Sequence, residues 1–301
     1  MPAQSSQTLL DPANLTRIEP FPLLAKTAVE GFLSGMHRSV FHGFGSEFLQ
    51  YRHYTQGEDL KYVDWKLYAR SDRLHSKVFQ EETNMNVYLV VDASASMDYQ
   101  GEQAPCSKAR YAAMIAACFA YIASKQGDNI SLLCYNEQID AYLEPGHRNQ
   151  QLQRVLLQLA RSRPRGGADH EQALDFLENQ VGNRGLVILL SDMLEGEAVL
   201  PRRLSRLRLL HCDCIALQIL DPDELQLPRR ASARFVDLES QAEVLTSPER
   251  IGESYDVQMQ SFLETLKTGF QREQVDTLRL STTQNLGAAL AAYLHHRERR
   301  A

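Results

Sequence analysis

The sequence predicts an α/β fold: a three-layer, doubly wound, mostly parallel sheet over residues 86–301, preceded by a small α+β module over residues 1–85. Two observations carry this. From Asn86 onward, short continuous apolar runs rich in β-formers alternate with longer segments whose apolar residues recur at helical spacing. Strands that are apolar on both faces belong to parallel sheets with helices on each side. A third observation sets the N-terminal part off. Its texture changes after His37, where glycines and aromatics such as Gly43, Phe44, Gly45, Phe48, Tyr51 and Tyr54 mark an extended region.

In chain order, Phe21–His37 reads as a helix, and the stretch from Tyr51 to Glu82 reads as a small twisted sheet that includes Lys61–Val63 and Lys77–Phe79. Met1–Asn14 reads as a loose polar leader. It lacks the basic start and apolar stretch of a secretory signal. Strand Val87–Val91 then ends at Asp92, before a small-residue loop and a helix over Ser107–Lys125. Strand Ile130–Tyr135, helices Gln150–Ala160 and Glu171–Val181, strand Leu186–Leu190, helix Val199–Leu210 and strand Cys214–Leu220 follow. A helix near Glu249–Glu273, a strand near Thr277–Leu280 and a helix over Asn285–Arg297 complete the series.

Composition narrows the functional classes. With 44% hydrophobic residues in 301, the chain can bury a large core. A net charge of -6 gives no global basic field for nucleic acid or an anionic membrane. Arg161, Arg163 and Arg165, or Arg202, Arg203, Arg206 and Arg208, are local clusters without interleaved aromatics, as on a solvated face. The longest apolar run, Ala112–Ala123, is shorter than the roughly 18 residues of a membrane span. Five cysteines at Cys106, Cys118, Cys134, Cys212 and Cys214 fit reduced core thiols in the cytoplasm. No phosphate-binding glycine loop and no G-x-S-x-G nucleophile elbow occurs.

In an open parallel sheet, ligands bind where loops converge at the carboxyl ends of the strands. Asp92-Ala93-Ser94-Ala95-Ser96-Met97 occupies such a position, and Leu190-Ser191-Asp192-Met193 occupies another. A carboxylate plus two hydroxyls is a sensible partial site for Mg²⁺, which takes oxygen ligands and keeps several waters. The same residues could equally cap the helices that follow, a common use of Asp and Ser. A hydrolase reading would nominate Ser94 or Ser96 with His170 and Asp192.

The Asp92-x-Ser94-x-Ser96 loop, with Asp192 following in strand order, resembles the metal-ion-dependent adhesion site of von Willebrand factor A domains. The upstream series is Gly43-Phe44-Gly45-Ser46-Glu47-Phe48, Tyr51-Arg52-His53-Tyr54, Gly57-Glu58-Asp59, Val63-Asp64-Trp65-Lys66, Tyr68-Ala69-Arg70-Ser71-Asp72 and Lys77-Val78-Phe79-Gln80-Glu81-Glu82. It resembles the bacterial family called domain of unknown function 58. The resemblance implies a non-enzymatic protein-interaction module with a Mg²⁺ site at Asp92, Ser94, Ser96 and Asp192, and as partner a MoxR-type AAA+ ATPase. Many A domains supply a further ligand from the threonine of a Gly-Gly-Thr sequence, where this chain reads Gly166-Gly167-Ala168-Asp169-His170. Ala168 offers no oxygen, which leaves Asp169 or a water to compensate. His170 suits softer metals. Mg²⁺ binding is therefore expected to be weak or absent.

The charged stretch Glu58–Glu82 has two readings: a lattice of Asp64, Lys66, Arg70, Asp72 and Arg73 that docks the N-terminal module, or, with Trp65, a metal-independent partner surface.

Overall fold

The computed structural model describes residues 10–35, 50–53, 67, 68, 70, 74–78, 85–182, 184–194, 196–228, 232–239 and 241–298. Helices α1 (Pro12–Leu15) and α2 (Phe21–Gly35) come first, followed by strands β1 (Gln50–His53) and β2 (His75–Val78). These two strands pair antiparallel, from Gln50 opposite Val78 to His53 opposite His75. They form the only described part of the small sheet expected between Tyr51 and Glu82. Lys61–Val63, Trp65 and most of the charged stretch lie outside the described residues.

The main series runs β3 (Asn86–Asp92), α3 (Lys108–Lys125), β4 (Asn129–Tyr135), β5 (Ile139–Gly146), α4 (Arg148–Arg161), α5 (His170–Gln180), β6 (Gly185–Ser191), α6 (Leu200–Leu209) and β7 (Cys212–Leu220). It ends with α7 (Pro222–Leu225), β8 (Ala233–Val236), β9 (Glu243–Thr246), α8 (Pro248–Arg272), β10 (Asp276–Ser281) and α9 (Gly287–Glu298). Six strands form one sheet in the order β10-β7-β6-β3-β4-β5. All neighbours are parallel except β5, which runs antiparallel to β4. From β3 the chain moves outward to β4 and β5, then returns to the other side of β3 for β6, β7 and β10. The strand order therefore reverses between β3 and β6, which is where a doubly wound sheet opens a crevice.

Strand alternation sorts the core into two layers. Val87, Leu89 and Val91, with Ile188, Leu190, Leu217 and Ile219, face α2, α3, α4 and α9. Tyr88, Val90, Val187, Leu189 and Ala216 face α5, α6 and the C-terminal half of α8. Helix α3 is buried almost all round because α2, α4 and α9 pack about it. Its alanines, Ala112, Ala116, Ala117 and Ala120, have no exposed surface and let these helices approach closely. This fixes the N-terminus of α3 beneath the crevice.

Several features differ from expectation. Leu10 and Pro12 are buried, and the Leu286 N–H donates to the Leu10 carbonyl at 3.1 Å, so the described end of the leader, residues 10–14, is anchored by its apolar residues. Strand β5 is an edge strand whose residues are mostly half-buried, with Pro145 where no ladder donor is required. Its mixed, irregular exposure hides it from a search for apolar runs. The exposed hairpin β8–β9 is hidden for the same reason. Cys212 and Cys214 are buried together on one face of β7. Among the described residues no helix is long and apolar enough to cross a membrane.

Candidate functional site

The apolar register of β3 ends at Asp92, whose Oδ1 accepts the Ser94 N–H at 2.8 Å and turns the chain sharply out of the sheet. The loop is tied down by its backbone. The Ala93 N–H donates to the Tyr135 carbonyl at 2.7 Å and the Ala95 N–H to the Gly166 carbonyl at 2.8 Å, while the Arg165 N–H donates back to the Ala93 carbonyl at 2.9 Å. Gly166 sits at a φ of 64°, a conformation that its lack of a Cβ makes inexpensive. Small residues at 93 and 95 leave room for the loop to close, and a short 3-10 turn over Ala95–Asp98 follows.

At the end of β6, Ser191 Oγ donates to Asp92 Oδ2 at 2.6 Å and accepts the Met193 N–H at 2.8 Å. Met193 has a φ of 62°, which is uncommon for a residue with a side chain and helps turn Asp192 into the crevice. Asp192 Oδ1 accepts the Leu194 N–H at 3.2 Å, and Gln218 Nε2 donates to the Asp192 carbonyl at 3.2 Å. Asp192 Oδ2 accepts from Ser96 Oγ at 2.8 Å. Ser94 Oγ lies 3.1 Å from Ser96 Oγ. Each serine has one hydroxyl proton, and that of Ser96 is given to Asp192, so Ser94 donates to Ser96. The chain Ser94 to Ser96 to Asp192 leaves lone pairs on both hydroxyls. Four of the five anticipated residues, Asp92, Ser94, Ser96 and Asp192, thus converge.

The fifth, Asp169, has its carboxylate engaged in a helix cap. Its exposed side chain caps α5 by accepting the Gln172 N–H at 2.8 Å. His170 is buried. Its Nε2 donates to the Leu194 carbonyl, which can only accept, at 3.2 Å, and its Nδ1 is hydrogen-bonded with the Tyr135 hydroxyl at 2.9 Å. Both ring nitrogens are engaged away from Ser94 and Ser96, so the Ser-His pair of a hydrolase is not assembled.

Lys108, the first residue of α3, went unrecognised in the sequence. Its side chain is fully buried, and its Nζ donates to Asp192 Oδ2 at 2.7 Å and to Glu224 Oε1. Glu224 is held by a capping box on α7, where its Oε2 accepts the Asp221 N–H at 2.8 Å. One legible signal was present. A cation in the first turn of a helix opposes the helix dipole and calls for a carboxylate partner.

These contacts set the electrostatics. Burial pushes the Asp92 carboxyl above its ordinary 3.8, and the neighbouring Asp192 charge pushes it further. Burial acts on Asp192 in the same direction, but the Lys108 ammonium outweighs it and holds that carboxyl below 3.8. Burial would lower the Lys108 pKa, yet Asp192 and Glu224 raise it above 10.5. Glu224 stays above 4.5 because burial exceeds the help it receives from Lys108. Among the described residues no ammonium or guanidinium pairs with Asp92.

The donor set is chemically suited to a small hard cation: two carboxylates and two hydroxyls, with one buried carboxylate that no described ammonium or guanidinium pairs. Ala168 adds no oxygen. Among the described residues no group of three or more His, Cys, Asp or Glu side chains is arranged to hold a metal. Beside Asp92 a cavity of about 300 Å³ is lined by Phe21, Asp98, Ser107, Arg110 and Arg163, among others. Arg110 lies over the Phe21 ring at 4.3 Å and donates to the Ile18 carbonyl at 3.2 Å.

A family model described as "Protein of unknown function DUF58" matches residues 50–261. The uncharacterized proteins Rv1480 of Mycobacterium tuberculosis and Mb1516 of Mycobacterium bovis are each 29% identical over 234 residues, covering 76% of this chain and 72% of theirs. Among solved structures, the conserved hypothetical protein BatB from Bacteroides thetaiotaomicron aligns with a TM-score of 0.49 at 10% identity, over 71% of this chain and 99% of that one. The SpRpn10 VWA domain aligns with a TM-score of 0.40 at 10% identity, over 69% of this chain and 94% of that one.

Proposed function

Because the chain belongs to the DUF58 family of proteins of unknown function, we propose that the Asp92 crevice is a non-enzymatic protein-docking site of the metal-ion-dependent adhesion type. The observation that carries this reading is the junction of two strand ends: Ser96 on Asp192 at 2.8 Å and Ser191 on Asp92 at 2.6 Å, at the point where the sheet reverses its order. Asp92, Ser94 and Ser96, with Asp192, would hold Mg²⁺. When bound, the ion supplies a coordination position for a carboxylate oxygen of the partner. The hydroxyls keep lone pairs for that ion, while the loop hydrogen bonds hold them in place before it arrives.

The cavity beside Asp92, with Phe21 and Arg110 in its wall, would receive a neighbouring side chain of the same partner. On the sequence resemblance, the partner we assign is a MoxR-type AAA+ ATPase, with this chain as its cytoplasmic adaptor in an assembly step. Hydrolysis is disfavoured because His170 is committed to Tyr135 and Leu194. A metal-independent variant of the same docking has support in Ala168, which offers no ligand, and in Lys108, which already places a cation beside Asp192. The other scaffold surface, Glu58–Glu82, falls largely outside the described residues.

Calorimetric titration of Mg²⁺ and Mn²⁺ into the parent and into a folded Asp92→Ala variant tests the reading. Weak, saturable binding to the parent that disappears in the variant is expected. Equal binding to both would show that the ion sits elsewhere, and the adhesion-type assignment would fall.

A further inference from the structure

We propose that Lys108 is the resident counter-ion of this crevice and sets its selectivity, holding divalent affinity low by competing for Asp192. The inference rests on the docking reading above and concerns the same site. Lys108 Nζ and Ser96 Oγ donate to the same oxygen, Asp192 Oδ2, at 2.7 Å and 2.8 Å. A divalent ion that used Ser96 and Asp192 together would therefore abut an ammonium fixed within a few ångströms. Lys108 cannot swing away into water, because its side chain is fully buried and its other bond runs to Glu224 on α7.

The lysine is also in a costly place for a merely structural ion pair. It opens α3, where the helix dipole disfavours a cation, and its burial is offset only by the two carboxylates it joins. Among the described residues no ammonium or guanidinium pairs with Asp92, across the crevice, so the site remains an acceptor for positive charge at its Asp92 side and is satisfied at its Asp192 side. A cation entering such a site meets attraction from Asp92 and repulsion from Lys108. Monovalent charge is already supplied, and a second, divalent charge is resisted. Lys108 is thus a positioning residue: it fixes Asp192 and Ser96 without an added ion and determines which ions can join them.

The test is Mn²⁺ titration, by calorimetry, of the parent, Lys108→Met and Lys108→Arg. Removing the ammonium frees an oxygen and deletes a like charge in a poorly solvated site, so Lys108→Met should bind Mn²⁺ about tenfold more tightly or better. Lys108→Arg keeps the charge and should stay near the parent. If Lys108→Met alone does not fold, Lys108→Met/Glu224→Gln removes both members of the pair and carries the same measurement. Tighter binding in the variant supports the proposal, whether or not the parent binds. If Lys108→Met binds and the parent does not, the metal part of the docking reading fails for the chain by itself while the role of Lys108 stands. Equal or weaker binding in the folded variant than in a parent that does bind overturns the role of Lys108 and leaves the docking reading intact. No binding by either overturns both.

Discussion

Asp92 ends β3 and Asp192 directly follows its parallel neighbour β6, and the two are almost equally buried, at 1% and 2% exposure, yet the first carboxyl is held above its ordinary range and the second below it. Residue type and burial are shared, so neither explains the difference. What separates them is chiefly one cation, since the His170 ring lowers the Asp92 carboxyl too little to offset burial and the Asp192 charge. Lys108 reaches Asp192 from the first turn of α3, whereas Asp92 is held by the Ser191 hydroxyl and the Ser94 amide, neutral donors that cannot cancel a charge. The Asp192 half of the crevice is complete as it stands. The Asp92 half is organised but, among the described residues, has no ammonium or guanidinium partner, which is the condition under which an added cation has something to gain.

The largest effect should come from breaking the completed half. Lys108→Met leaves Asp192 and Glu224 buried without their ammonium and should cost about 3–5 kcal/mol of stability, read by chemical denaturation in the absence of divalent ions. A loss below about 1 kcal/mol would mean that water reaches the pair and that the two halves differ less than their contacts imply.

A smaller effect, of opposite sign, belongs to the other half. A carboxyl raised above its unfolded value binds its proton more tightly when folded, so Asp92 removes stability as pH rises from about 4 through its folded pKa. Asp192, depressed, contributes stability that is present above 3.8 and lost as pH falls through its lower folded pKa. Asp92→Asn should therefore be as stable as the parent, or more stable by on the order of 1 kcal/mol, at neutral pH, with a shallower decline between acid and neutral pH. Denaturation midpoints across that range check it, and a destabilised Asp92→Asn with an unchanged pH profile would contradict the asymmetry. The smallest effect concerns Asp169. Its loss should cost about 1 kcal/mol as a helix cap, with Mn²⁺ affinity unaltered; a tenfold loss of affinity in Asp169→Ala would bring it into the ligand set.

Much of this arrangement was legible in the chain. The apolar runs of β3, β4, β6 and β7 stand out because both their faces are covered, and the Asp92, Ser94, Ser96 and Asp192 loops follow directly from where those runs stop. Strand β5 and the β8–β9 hairpin were not legible, since partly or largely exposed strands need no continuous apolar run. Asp169 had the right chemistry and neighbourhood in sequence, but the turn that carries it points its carboxylate at the amide of Gln172. Lys108 looked like an ordinary polar residue at the start of a helix, and Glu224 lay in a stretch where the sequence marks no helix.

The sequence by itself determined the buried strands and the longer helices, because burial on two faces or one imposes periods that survive in the residue order. It also determined that a carboxylate and two hydroxyls close the end of β3. Only the tertiary structure decided which charges meet there. Lys108 is 84 residues from Asp192 and 116 from Glu224, and no local pattern records such separations. Their contact arises from the reversal of strand order that sets β6 beside β3, from the next strand outward, β7, which carries Glu224 just beyond its end, and from the packing of α2, α4 and α9 that fixes α3 and its first residue under the crevice.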